Sequence, residues 1–304
     1  MSINIESAEW FVHANARLLD RHLLAVLLDD DPVERVLDAL RAYRNPDGGF
    51  GHALEPDVRC PGSQPASTLR AFEVLADVGK LSHPMVADAE TWLATIAEPD
   101  GGVTTVLPTA QGHPHAPWMA PSTGSGFLTF ALVARLWHAG SSHPWLRRAT
   151  KWCWAELEST GEVGGYTMKF ALDFLDAVPD PRRAAAAVER LRPAIGPDGC
   201  IRVPGGTEDE KITPLSLSER PGGPSRSLFT NKQIEADLDR LEQGQEGDGG
   251  WDVDWLHWSA GQSVEWRGTA TVRALITLHA HGRLDLPRTP LATAGRPPSD
   301  RKQR

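Results

Sequence analysis

Tyrosine is nearly missing from this chain, with two residues in 304, and there are only three cysteines and four methionines. Cys60, Cys153 and Cys200 stand far apart and form no C-x-x-C pair, so they are expected to be reduced, structural thiols. No stretch approaches the roughly 20 uninterrupted apolar residues that a bilayer span requires. The opening segment, MSINIESAEWFVHANARLLDRHLL, lacks the basic n-region and small-residue cleavage site of a secretory signal. A cytoplasmic protein without a transmembrane segment is expected. Lys/Arg runs are lacking before the tail, and a net charge of -9 argues against nucleic acid as a partner. The sequence also lacks G-x-S-x-G, a phosphate-binding G-x-x-x-x-G-K-[ST] loop and a G-x-G-x-x-G that opens a helix. No cofactor is implied.

What is abundant is tryptophan, 11 residues against 8 phenylalanines, which points to packing plates or an aromatic-lined cavity. Glycine punctuates the chain regularly. NPDGGFG (45–51), EPDGGV (98–103) and EGDGGW (246–251) recur, with GPDGC (196–200) as a degenerate fourth. Asp-Gly and Gly-Gly steps favour left-handed backbone and stop helices. The segments after these turns are related as well. ASTLRAFEVLADVGKL (66–81) aligns without gaps to TATVRALITLHAHGRL (269–284), pairing Thr68 with Thr271, Arg70 with Arg273 and Gly79 with Gly282. Thr68, Leu75 and Gly79 also match Thr129, Leu136 and Gly140, and Ser-His-Pro follows both glycines. Repeats of this length indicate stacked helical pairs.

Apolar spacing predicts helices near 7–29, 32–44, 66–79, 84–97, 124–139, 144–159, 166–177, 181–194, 231–243 and 267–281. VTTVLP (103–108) is the best short strand candidate. The expected architecture is all-α: an α/α toroid of about five helical hairpins over 1–284, closed or partly closed. Residues 200–229, rich in Pro, Gly, Ser and charge, are expected to form an irregular excursion or lid. Residues 285–304 are expected to be a disordered tail. A ring short of hairpins would leave an edge that a second copy could cover, so a homodimer is one option and the oligomeric state stays open.

Hairpins joined by DGGF/DGGW turns, with Gln245, Gly250 and Trp251 in the last repeat, resemble the terpenoid cyclase and protein prenyltransferase β-subunit superfamily. The GHALEPD and EWRG segments are also similar to those of bacterial proteins related to squalene cyclases. The resemblance implies a toroid whose inner helices line a central cavity for an apolar, isoprenoid-like molecule. The superfamily's reactive motifs are missing. Asp252-Val-Asp254-Trp255 lacks the last Asp of D-x-D-D, D-D-x-x-D is absent, and Asp57-Val-Arg-Cys60 has the wrong spacing for a zinc pair. No metal site is therefore expected, and His113 and His115 lack further ligands at recognisable spacing.

Two loops hold equivalent places in their repeats, 51–64 and 252–266. The first offers His52, Glu55 and Asp57; the second offers Trp255, Glu265 and Trp266, flanked by Trp251 and Arg267. A carboxyl kept protonated by burial among indoles can act as a general acid, with His52 as a relay, and indole faces stabilise cations. Glu55, Asp57, Glu265 and His52 are the catalytic candidates. Trp118, His115, Trp251, Trp255, Trp266 and Arg267 are the substrate-binding candidates. The plainer alternative makes the acids helix caps or ion-pair partners and the indoles packing plates. Three functions follow: metal-independent, acid-catalysed cyclisation or isomerisation of an isoprenoid-like molecule; a carbohydrate-active toroid using two carboxylates; or a non-catalytic scaffold.

Overall fold

The computed structural model describes residues 3–29, 31–159, 164–208 and 210–285, so the expected tail lies almost wholly outside the described residues. Twelve α-helices occur among them, two more than the periodicity predicts: α1 Ile5–Asn15, α2 Leu18–Leu28, α3 Val33–Arg41, α4 Pro65–Asp77, α5 Pro84–Ile96, α6 Leu128–His138, α7 Pro144–Ser159, α8 Gly165–Ala177, α9 Pro181–Leu191, α10 Pro214–Leu217, α11 Asn231–Gln243 and α12 Ala260–Ala280. The chain is all-α apart from a two-stranded antiparallel hairpin, β1 Ile201–Arg202 and β2 Lys211–Ile212.

The single helix expected over 7–29 is two. Ala16 and Arg17 are extended, with ψ of 163° and 156°. The break has a tertiary cause: the Arg17 guanidinium donates to Asp20, to the Leu54 carbonyl and to Thr269. Ala16 also packs on Gly268 of α12, where a Cβ would come within 2.6 Å. The strand expected at 103–108 is a correction too. Those residues form no strand; Val103 N–H and C=O are taken by the Thr129 hydroxyl, and Pro108 starts a 3-10 turn. The described residues of 200–229 hold β1, β2, α10 and a 3-10 turn at Pro224–Leu228.

The helices alternate between an inner and an outer ring. α4 and α6 bury nearly every residue, whereas the outer α3 and α9 bury one stripe. α4 packs on α6, α6 on α8, α8 on α10, α10 on α11, and α12 returns to α1 and α2, which closes the ring.

The glycine turns set the spacing. In all four, the second Gly-Gly position or its equivalent donates to an Asp side chain: Gly49 to Asp47, Gly102 to Asp100, Cys200 to Asp198 and Gly250 to Asp248, at 2.9–3.1 Å. The preceding glycine has a positive φ of 84–99° in each, so the degenerate GPDGC belongs to the series. The aligned threonines complete three of them. Thr68, Thr129 and Thr271 accept from the N–H of Phe50, Val103 and Trp251. Each of these three turns presses on an outer helix: Gly48 on Asp88 of α5, Gly101 on Arg148 of α7, and Gly249 on Ser7 of α1. The last contact is the seam of the ring, where Gln245 also exchanges two hydrogen bonds with the Asn4 backbone.

Candidate functional site

The 51–64 loop is held in an unusual backbone conformation. His52 and Ala53 both adopt left-handed backbone, with φ of 54° and 59°. Such residues cost on the order of 1–3 kcal/mol each and persist only where their surroundings hold them. Here Gly51 sits against the Pro61 and Gly62 carbonyls, and the strained pair turns the chain so that Glu55 and Asp57 point inward, 9% and 4% exposed. A neighbouring loop clamps it from one side: Ala116 N–H donates to the Asp57 carbonyl and Arg59 N–H to the Pro114 carbonyl, both at 2.9 Å. Val58, Cys60, Val106 and Ala110 form a small apolar core beneath.

The 252–259 loop and the first turns of α12, which starts at Ala260 and not near 267 as expected, meet it from across the ring seam. Arg59 grips Glu265 through two guanidinium nitrogens, at 2.5 and 3.1 Å. Asp57 accepts the Trp118 indole N–H at 3.1 Å and the Trp258 indole N–H at 3.0 Å, one on each oxygen. Trp266 and Gln262 stand beside the same carboxyl. Neither the Trp266 Nε1 nor the Gln262 Nε2 completes a hydrogen bond, and the Trp255 Nε1 is likewise buried without a partner. Trp255 meets Trp266 edge to face at 5.1 Å.

Electrostatics separates the acids. Burial pushes the Asp57 carboxyl above its ordinary value, outweighing the indole and amide donors around it. Glu55 is raised further, first by burial and then by the charges of Asp57 and Glu73, against which Arg70 pulls less strongly. Glu55 is therefore the better holder of a proton near neutrality. Glu265 is committed to Arg59 and serves the seam between the loops.

The other expected residues divide. His52 bonds through Nε2 to Asn45 Oδ1 at 3.0 Å, on the DGG turn. Trp251 is buried and donates to the Leu241 carbonyl at 2.7 Å, which is the packing role. Arg267 pairs with Asp248 through two 2.8 Å bonds and lies over the Phe11 ring. His115 turns its Nδ1 to the Ala116 carbonyl. Among the described residues no cluster of His, Cys, Asp and Glu is arranged to hold a metal ion.

Two groups were missed from the sequence. Trp258 and Gln262 carry no repeat signature, and only closure of the ring places them at Asp57. Tyr166 at the start of α8 is the other omission. Its phenol donates to Glu210 of the excursion at 3.2 Å, and is pushed up by burial and then by Glu210, Asp254 and, more weakly, Asp57.

Deeper on the ring axis the lining is ionic. Arg273 of α12 bridges Glu73 of α4 and Glu219, at 3.1 and 3.4 Å. Arg135 of α6 bonds Asp173 of α8 at 3.0 Å, and Arg70 joins Glu73 at 3.0 Å. Burial alone would raise Glu73, but Arg273, Arg70, Arg135 and Lys169 overcome it and hold the carboxyl at about 2. Arg273 and Glu219 nevertheless keep 31% of their side chains accessible, so this charged centre is reached by solvent. Two open surface clefts, about 590 and 530 Å³, lie elsewhere, between α2 and α3 and along α11. The Asp57 site is recognised by its chemistry and not by cleft size.

These features define an all-α toroid with a terpenoid-cyclase-like fold. The chain is similar to a protein from Actinoplanes at 16% identity and a TM-score of 0.55, over 91% of this chain and 98% of that one. It is also similar, at 16% identity, to two variants of the type II terpene cyclase MstE from Scytonema bound to geranylgeranyl dihydroxybenzoate. These have TM-scores of 0.53 and 0.50, over 91% of this chain and 88% of that one. No protein-family model and no curated protein matches the sequence. No helix among the described residues is long and apolar enough to cross a membrane.

Proposed function

We propose that the chain binds an unsaturated, isoprenoid-like small molecule at the mouth of the ring, taken to lie where Trp118, Trp255 and Trp266 gather about Asp57, and initiates its cyclisation or isomerisation by proton transfer. The carrying observation is the buried Glu55, its carboxyl raised by burial and by the charge of Asp57, two residues along, which two indoles hold. A neutral Glu55 would donate its proton to an alkene carbon, leaving a carboxylate that Arg70 stabilises. The carbocation so formed would sit against the faces of Trp118, Trp255 and Trp266. A proton lost from an adjacent carbon to a nearby carboxylate would complete an isomerisation without any redox partner. The fold shared with MstE, whose structures hold a geranylgeranyl compound, supports the reading. The ionic axis confines apolar groups to the mouth, so a compact ligand is favoured over a long chain threading the ring.

Glu55→Gln and Asp57→Asn variants assayed with polyprenyl substrates test this. Loss of turnover in Glu55→Gln is expected; equal turnover in both variants and the parent would sink it. Mass spectrometry of natively purified protein should find a co-purified isoprenoid. One observation favours a second reading, a carbohydrate-active site: Glu210 and Asp254, gathered about Tyr166, supply carboxylates beyond the 51–64 loop. Release of sugar from a glucan, abolished by Glu210→Gln, would select it.

A further inference from the structure

Three buried donors in this corner complete no well-formed hydrogen bond, although Trp266 and Gln262 lean on the Asp57 carboxyl. Gln262 is fully buried, 0% exposed, and its Nε2 has no hydrogen-bond partner. The Trp255 and Trp266 Nε1 atoms are in the same position, and their rings touch at 5.1 Å. Leaving one such group unsatisfied costs on the order of 1–3 kcal/mol, so a Trp255 N–H without an acceptor, beside two donors that share a poorly aimed Asp57, calls for an explanation. Packing does not demand them: a Phe or Leu would fill the same volume without an orphaned N–H. The Ser259 cap fixes the first turn of α12 by accepting from Gln262 N–H, so the Gln262 amide is held at the mouth by the helix start.

The charges around the corner restrict what can satisfy these donors. Asp57 lies in this corner with Glu210 and Asp254 farther off about Tyr166, whereas Glu265 is already neutralised by Arg59. An anionic acceptor would meet this acidic field at a penalty. A neutral hydroxyl fits both sides. It accepts from Gln262 Nε2 or an indole N–H and donates its own proton to an Asp57 oxygen.

We infer that the Gln262–Trp255–Trp266 corner is a subsite for a ligand hydroxyl, so that the molecule taken at this mouth is a neutral alcohol and not a bare hydrocarbon. This rests on the mouth being the ligand site, as proposed above, and does not require that Glu55 transfer a proton. Recognition through buried polar groups discriminates strongly, because an analogue lacking the hydroxyl leaves the site's donors unpaired.

Binding to the full chain, read by tryptophan fluorescence and calorimetry without any turnover assay, tests the assignment. The probes are farnesol, the matched hydrocarbon farnesene, and maltotriose as a hydroxyl-bearing ligand of different source. Farnesol is expected to bind at least about tenfold more tightly than farnesene. Gln262→Leu should remove most of that preference. Trp255→Phe, which keeps the ring and deletes only the N–H, should reduce it in a protein whose fold is least disturbed. If farnesol and farnesene bind equally, or both variants keep the preference, the subsite is refuted. Maltotriose binding that both variants weaken, with neither prenyl probe bound, would uphold the hydroxyl subsite and defeat the isoprenoid reading. Binding of none of the three probes overturns the inference.

Discussion

The Trp258 indole nitrogen donates to Asp57 Oδ1 at 3.0 Å and joins loops that lie 201 residues apart in the chain. With Trp118 on the other oxygen, it favours the charged carboxylate in a place where burial favours the neutral acid. Trp258→Phe keeps the ring and removes the donor. The Asp57 titration midpoint should rise by about 1 pH unit, since a hydrogen bond to the charged form is lost. Carboxyl-carbon NMR across pH 3–8 reads it, and an unmoved midpoint would mean the bond carries little.

The seam of the ring depends on one glycine. A Cβ at Gly249, where φ is +92°, would stand 2.1 Å from the Ser7 carbonyl of α1. Gly112 has a similar φ of +84° but open space around it. Gly112→Ala should therefore cost only the left-handed backbone penalty, about 1–2 kcal/mol. Gly249→Ala adds a clash with backbone that cannot move without parting α1 from the turn, and should cost about 3 kcal/mol or more. Urea midpoints compare the two, and equal losses would show that the seam is not under this constraint.

Much of this seam was legible in the residues. The gapless alignment of Thr68 with Thr271 picked out the hydroxyls that receive Phe50 and Trp251, because that contact repeats in every complete hairpin. The split of α1 from α2 was not legible, since Arg17 breaks the helix by reaching Leu54 and Thr269, far away in sequence. The same holds within the site. Glu55 and Asp57 stood out as acids in a loop, but Trp258 and Gln262 gain their meaning only from closure. Arg267 looked like a site residue through its Glu265-Trp266-Arg267 setting, and it braces the last turn through Asp248.

Glu73 sits at the meeting point of Arg70 and Arg273, which hold its carboxyl near 2 despite burial. Its folded value is depressed, so its stabilisation is present above the unfolded value of about 4.5 and lost as pH falls toward 2. Glu73→Gln should cost about 3 kcal/mol at pH 7, because two arginines lose a shared partner in the ring centre. It should also flatten the acid limb of the stability curve between pH 4.5 and 2. Parallel acid limbs for parent and variant would refute the linkage.

Asp176 behaves with the opposite sign. Burial raises its carboxyl to about 6, although Ser225 donates to it through both N–H and Oγ, at 2.7 and 2.6 Å. The folded state therefore holds a proton that the unfolded state releases near 3.8. The stability this gives is fully present below 3.8 and is lost as pH rises through about 6. The loss should amount to about 2–3 kcal/mol, allowing for partial solvent access. Ser225→Ala removes the hydroxyl donor to the charged form, so the window should extend upward by about 1 pH unit. Asp176→Asn should abolish this component whatever it costs overall. Urea unfolding at half-unit steps from pH 4 to 8 separates slope from offset. An Asp176→Asn curve running parallel to the parent across pH 4–6.5 would remove Asp176 as the titrating group.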